Sequence, residues 1–236
     1  MFDELSILLD SLAPDIGRPE YLSAIIEHNA LGKQTAATRK LTAQRLTELY
    51  IIESSAPLFR VLRRFWQDDV PGRPLLALLC SLARDPLLRA TAEPVLAMTS
   101  GEELSRQRIT DAIGSAVGDR LNEATLDKVV RNVSSSWTQS GHLQGRVRKF
   151  RQIVRPTPLA TAYALMLGYL EGLRGGRLFD TPWTRVLDAS PMELRNIDAE
   201  AKRLSGLDLK TAGDVIEVGF TTVLTPQEIK DSRVTH

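Results

Sequence analysis

The chain has few of the residues that build covalent cross-links or metal centres, since its 236 residues include one cysteine and three histidines. Cys80 cannot form an internal disulfide, and without a cysteine pair the chain cannot build a zinc finger or ribbon. His28, His142 and His236 are widely separated, and none has the spacing of metal ligands. We therefore expect no metal and no other cofactor.

Long hydrophobic runs are also lacking. The longest, Pro74–Ala83 and Pro158–Leu170, fall short of the roughly 18 residues that a membrane helix needs, so we expect core helices and no membrane contact. The acidic N-terminal segment MFDELSILLD lacks the basic flank of a signal peptide, which predicts a cytoplasmic protein. There is no phosphate-binding G-x-x-x-x-G-K-[ST] loop, and nothing supports a nuclease with scattered carboxylates, so we expect no enzymatic activity.

Helix signals are frequent and strand signals are few, so the predicted fold class is mainly α. We predict one compact multi-helix domain over residues 1–224, with at most short β-hairpins, followed by a flexible tail over 225–236. Within the domain we distinguish a helix-turn-helix-like part (19–53), a winged-helix-like part (102–155) and a C-terminal helical part (156–224). The predicted helices cover residues 3–12, 19–29, 36–53, 57–67, 74–84, 87–97, 102–117, 123–140, 157–172 and 191–204.

The charges are almost balanced in total, with 30 Lys+Arg against 29 Asp+Glu, but they are segregated along the chain. Two stretches without acid, His28–Thr47 and Lys128–Leu170, together carry 11 positive charges in 63 residues. The other 173 residues have a net charge of −10. This asymmetry predicts a polyanionic partner, for which we favour double-stranded DNA, and the alternative is that the acid-free gaps arise by chance.

The first motif, Tyr21–Tyr50, has the spacing of a helix-turn-helix. A helix should end near Asn29, Gly32 supplies a permissive turn residue, and a second helix should begin after Thr35. The polar start and apolar second half of that helix are typical of a recognition helix, although an ordinary helical hairpin with a solvated start fits equally well. The predicted DNA-binding residues of this motif are Lys33, Thr38, Arg39, Lys40, Thr42 and Arg45.

The second motif is helix 123–140 together with the basic stretch that follows it. Apolar residues from Leu126 to Trp137 follow the spacing of one buried helical stripe, and the opposite face is polar or basic without an acid. A helix followed at once by a basic, strand-like stretch is the plan of a winged helix, whereas a solvated loop or a docking site for an acidic protein are the alternatives. The predicted DNA-binding residues of this motif are Lys128, Arg131, Ser135, Gln139, Arg146, Arg148, Lys149, Arg151 and Arg155.

Three segments, LGKQTAATRKLTAQRL, SSSWTQSGHLQGRVRKFR and TPLATAYALMLGYLEGLRGG, resemble the BrxA proteins of BREX bacteriophage-exclusion systems, over about residues 20–224. The resemblance implies a NusB-like helical core and a cytosolic, non-enzymatic, DNA-binding component of an anti-phage system, with other BREX components as further partners. It supplies no residue motif, so the site residues rest on charge and helix arguments. Two other functions stay open: a helix-turn-helix transcriptional regulator, and an adaptor whose basic surface docks an acidic protein.

Overall fold

The fold is mainly helical, as the sequence predicts. The structure is a computed structural model, and it describes residues 1–196, 207–212 and 215–233. The helices are α1 (Phe2–Ser11), α2 (Arg18–Ile26), α3 (Ala36–Tyr50), α4 (Pro57–Asp68), α5 (Arg73–Arg84), α6 (Pro86–Ala90), α7 (Ala92–Leu96), α8 (Arg106–Val117), α9 (Glu123–Gln139), α10 (Pro158–Leu170), α11 (Pro182–Arg185), α12 (191–196) and α13 (Pro226–Asp231), with 3₁₀ turns at Gly118–Arg120 and Gly175–Phe179.

Two short antiparallel strand pairs complete the secondary structure of the described residues. Strand β1 (Leu143–Gln144) pairs with β2 (Phe150–Arg151), and β3 (Asp208–Ala212) pairs with β4 (Val215–Gly219). The prediction of a mainly α domain with at most short hairpins is therefore confirmed. The predicted helix over 191–204 is present over 191–196, and its remaining residues lie outside the described part of the chain.

Helix α10 forms the centre of the core. Every residue from Leu159 to Tyr169 is buried, because this helix is apolar on all sides and packs against α4, α5 and α11. Thr157 begins α10 by accepting a hydrogen bond from the backbone N–H of Ala160, and Pro158 follows where a missing N–H costs nothing. Buried apolar side chains from Leu5 to Leu224 form one continuous cluster around it.

The prediction of a flexible tail over 225–236 is wrong for residues 225–233. Thr225 and Glu228 form a reciprocal capping box that begins α13. Glu228 then forms an ion pair with Arg60 of α4 at 2.6 Å, and the buried Ser232 accepts a hydrogen bond from Arg174 at 2.8 Å. These contacts dock the C-terminal segment on the helical body.

The first motif also departs from its prediction, because the connection between α2 and α3 is nine residues long. A helix-turn-helix has a turn of three or four residues. Here α2 ends early, at Ile26, and Asn29 adopts a left-handed conformation in which its side chain accepts a hydrogen bond from the N–H of Lys33 at 2.7 Å. Thr35 caps α3 as predicted.

Candidate nucleic-acid interface

Helix α9 is held by its apolar stripe, which leaves its other face exposed. Asn122 begins the helix by accepting a hydrogen bond from the N–H of Thr125. Val130, Val133 and Trp137 are buried, and the Trp137 indole donates to the Thr91 hydroxyl at 2.8 Å. This anchoring fixes the rotation of the helix about its axis. The face turned to solvent carries the side chains of Lys128, Arg131, Asn132 and Ser135.

A small β-structure follows α9 directly. The loop between β1 and β2 turns at Gly145, whose φ of +119° and close approach to the carbonyl oxygen of Arg148 exclude a side chain there. Just before α8, Glu103 forms an isolated antiparallel bridge with Phe150, and Leu104 donates a backbone hydrogen bond to Lys149. Helices α8 and α9 and the hairpin thus follow one another along the chain.

A groove of about 410 Å³ lies between α9 and the hairpin, and we call it the basic groove. Among the described residues that line it, four side chains are cationic and none is a carboxylate. Its residues are Leu104, Arg106, Val130, Arg131, Ser134, Arg146, Val147 and Lys149. Three of the predicted DNA-binding residues, Arg131, Arg146 and Lys149, are therefore brought together here, from a helix and from a loop.

The four cations of the basic groove are not equally free. Arg131 and Arg146 are exposed and form no ion pair or hydrogen bond with a described residue. Lys149 donates to the Thr138 hydroxyl at 2.8 Å and to the Gly145 carbonyl at 3.3 Å, and partial burial lowers the pKa of its amine. Arg106 forms an exposed ion pair with Asp127. Arg131 and Arg146 are consequently the cations most available to an incoming anion.

A second groove, of about 330 Å³, lies on the other side of α9 and has mixed charge. It contains Arg45, Ser135 and Gln139, which sequence analysis assigned to DNA binding, but it also contains the carboxylates of Glu48 and Asp85. The predicted residues of α9 are thus split between two grooves, with the exposed Lys128 lining neither. Of these two grooves, the basic groove is the one whose described lining residues include no carboxylate.

Arg151 does not belong to a phosphate-binding surface, and its predicted role is wrong. Its side chain is 1% exposed and forms a bidentate ion pair with Asp188. The same carboxylate accepts the N–H of Val154 at 3.0 Å, so Arg151 anchors β2 to the loop after α11. Beside it His142 is buried between Ser140 and the carbonyl of Val186, and burial lowers its pKa to about 4.

The remaining basic residues of the hairpin are exposed. Arg148 donates to the Glu103 carboxylate at 2.8 Å and stacks on Phe150, and Glu103 raises the pKa of its guanidinium. Arg155 is exposed beyond β2 and has no partner among the described residues. Val147, at the tip between Arg146 and Arg148, is 90% exposed.

Most of the predicted residues of the first motif already have structural roles. Lys33 forms an ion pair with Glu4 at 3.0 Å, and Arg39 donates at 2.8 Å to the carbonyl of Ile26 at the end of α2. Thr42 is buried, at 8% exposure, so its predicted contact with DNA is wrong. Thr38 and Lys40 are exposed at the start of α3 but are not among the residues that line either groove.

Sequence reasoning missed Arg106, the fourth cation of the basic groove. It lies just after Glu102 and Glu103, so a search for acid-free stretches passes over it. The sequence also predicted that this helix begins at residue 102, whereas Ser105 is the cap and α8 begins at Arg106. Glu103 instead forms an isolated bridge with Phe150. The serine at 105 before the run of helix-compatible residues was the signal that could have placed Arg106 on the first turn.

Within residues 1–196, 207–212 and 215–233, no group of three or more His, Cys, Asp or Glu side chains could hold a metal ion. In the same residues, no helix combines the length and the apolar character required to cross a bilayer. Comparisons of the chain with protein-family models, with curated proteins and with solved structures find no match. Membership of the BrxA family therefore stays a prediction from the sequence.

Proposed function

We propose that this chain binds duplex DNA through the basic groove and the exposed face of α9. The observation that carries the proposal is the wall of four cationic side chains, Arg106, Arg131, Arg146 and Lys149, with no carboxylate among the lining residues. Arginine and lysine contacts to phosphate supply most of the sequence-independent affinity of DNA-binding proteins. The basic groove offers such contacts from α8, from α9 and from the loop between β1 and β2.

The mixed charge of the second groove indicates that DNA contacts the protein on one side of α9 only, the side of the basic groove. A helix that lies in the major groove has a phosphate backbone on either side of it. On the side of Glu48 and Asp85 a phosphate would meet two carboxylates, which oppose its binding. We therefore expect one strand to follow the basic groove, with the polar residues Asn132 and Ser135 of α9 turned toward the bases, and little sequence preference.

The biological role that we propose is that of a non-enzymatic accessory component of bacterial anti-phage defence. This step rests on the sequence resemblance to BrxA proteins, and DNA binding by the basic groove is consistent with it. A transcriptional regulator would instead show a preferred operator sequence. An adaptor would use the same cations to bind an acidic protein.

Fluorescence anisotropy with a labelled duplex, measured over a salt series, tests DNA binding directly. Four phosphate contacts predict a slope of about −3.6 in log K against log salt, which is about 150-fold in affinity between 50 and 200 mM. Unrelated duplexes of equal length should bind within a few-fold of each other. Absence of binding at low salt, or binding that is indifferent to salt, would contradict the proposal.

A further inference from the structure

A second cluster of positive charge lies on α4, away from the basic groove. Arg60, Arg63 and Arg64 are spaced i, i+3 and i+4, so they share one face of the helix. All three line a cavity of about 350 Å³ that also has an apolar wall, formed by Phe59 and Pro14. This volume falls within the range of small-molecule sites.

Arg63 is the unusual member because its charge is buried without a counter-ion. It is 3% exposed, and it forms no ion pair with a described residue. Its Nε donates to the Tyr21 hydroxyl at 3.2 Å and one Nη donates to the carbonyl of Leu12 at 2.6 Å. The other, Nη1, is buried and has no hydrogen-bond partner. An uncompensated buried cation is costly, so an anionic ligand would stabilise this arrangement.

The charges around the cavity leave an excess of one positive charge. Arg60 is neutralised by Glu228, with which it forms an ion pair at 2.6 Å. Among the residues that the structure describes, Arg64 donates to the carbonyl of Thr222 alone, and Asp68 is the one carboxylate that lines the cavity. Asp15 is close enough to act on the pKa of the Tyr21 hydroxyl, but it is exposed and does not pair with Arg63. The three arginines therefore exceed the acids facing them.

We propose that the cavity beside α4 binds a phosphate-type oxyanion, held by the guanidinium group of the exposed Arg64 and attracted by the charge of the buried Arg63. Guanidinium matches the geometry of phosphate through paired N–H donors. The adjoining Phe59 and Pro14 leave room for an apolar moiety attached to the phosphate. The site does not depend on the proposed DNA-binding function, because none of its residues lines the basic groove.

Thermal denaturation of the full chain in inorganic phosphate tests the site, with chloride at equal ionic strength as reference. A ligand of the folded state raises the melting temperature with its concentration, so phosphate should stabilise the chain beyond chloride. Arg64→Gln should weaken phosphate binding about tenfold, since one charge-assisted hydrogen bond is lost. Arg64 suits this test better than Arg63, whose replacement would also release the end of α1. The matched control is Arg177→Gln at another exposed arginine.

Measurements on an Arg131→Gln/Arg146→Gln background separate this cavity from the basic groove, and the phosphate effect should persist there. If Arg64→Gln also weakens duplex binding, the phosphate that the site accepts belongs to a nucleic-acid backbone; if it does not, the ligand is a free oxyanion. Equal melting in phosphate and chloride would overturn the proposal, as would an undiminished phosphate effect in Arg64→Gln.

Discussion

The sharpest perturbation of the proposed interface is to neutralise the two exposed cations of the basic groove that have no partner among the described residues. Arg131 and Arg146 come from α9 and from the hairpin loop, and neither has a partner among the described residues. Replacing both by glutamine keeps much of their size and polarity while removing the charge. Exposed charges of this kind contribute about 0–1 kcal/mol to folding, so the double variant should melt close to the unmodified protein.

The effect on DNA binding should be much larger than the effect on folding. Each lost phosphate contact reduces the salt slope by about 0.9, so the slope should fall from about −3.6 to about −1.8. If each arginine contributes about 1.5 kcal/mol through a charge-assisted hydrogen bond, the loss of affinity is about 100-fold. Anisotropy titrations between 50 and 200 mM salt measure both quantities in one experiment.

The matched control is Arg177→Gln, because Arg177 is exposed and lies outside both grooves. Its replacement makes the same change in net charge for each substitution, so it reports any effect of overall charge alone. The reasoning is refuted if the double variant keeps the slope of the unmodified protein, or if Arg177→Gln reduces binding to the same extent per charge. Loss of binding to an acidic protein with intact DNA affinity would establish the adaptor function instead.

Three further predictions concern the surroundings of the groove. Glu103→Gln should strengthen duplex binding several-fold in the same titration, because it releases Arg148 and removes a negative charge near the phosphates; unchanged or weaker binding would place Arg148 outside the interface. Trp137→Ala should lower the free energy of unfolding by about 3–5 kcal/mol in urea denaturation, since a fully buried ring is lost and the Thr91 hydroxyl loses a donor; a cost below about 1 kcal/mol would contradict its core position. Burial lowers the pKa of His142 in the folded protein from 6.5 to about 4, so between these pH values the unfolded chain binds one proton more than the folded chain. The contribution of His142 to the free energy of unfolding should therefore fall by about 3 kcal/mol as pH drops from about 6.5 to about 4. His142→Phe should remove this loss.

The sequence predicted the parts of the interface that depend on local patterns. The stripe from Val130 to Trp137 follows from helical spacing, and the hairpin follows from the turn and strand signals after Gly141. Because the helix and the hairpin are adjacent in the chain, their contact could be predicted without knowing any pairing between residues distant in sequence. Arg131 and Arg146, predicted from charge and position, accordingly line one groove.

Ion pairs between residues distant in sequence could not be predicted in the same way. Arg151 pairs with Asp188, which lies 37 residues further along the chain, and Lys33 pairs with Glu4, which lies 29 residues before it. A stretch without acidic residues therefore does not imply that its basic residues are unpaired, because folding can place a carboxylate from a distant part of the chain beside them. The docked C-terminal segment is a different case: Thr225 and Glu228 flank Pro226 in a capping-box pattern that the sequence shows plainly.

The basic stretch from Ser135 to Pro156 divides its cations between two tasks. Arg151 lies on β2 and is buried, whereas Arg146 and Arg148 lie on the loop before β2 and are exposed. The ion pair with Asp188 then fixes β2, and β2 fixes the loop that carries Arg146 beside α9. An arginine that never touches DNA would thus set the position of one that does.

Because some cations of the two stretches have structural roles, the salt dependence of DNA binding can test how many of them contact phosphate. If all 11 cations of the two acid-free stretches contacted phosphate, the slope of log K against log salt would be about −10. Of these 11, the structure buries Arg151 and engages Lys33 and Arg39 in other contacts. Three of the remaining eight line the basic groove, together with Arg106 from outside the two stretches. A slope near −3.6 would agree with this single groove. A slope near −10 would require the exposed ends of α3 and α9 to bind phosphate together with the hairpin, which a one-sided contact does not allow.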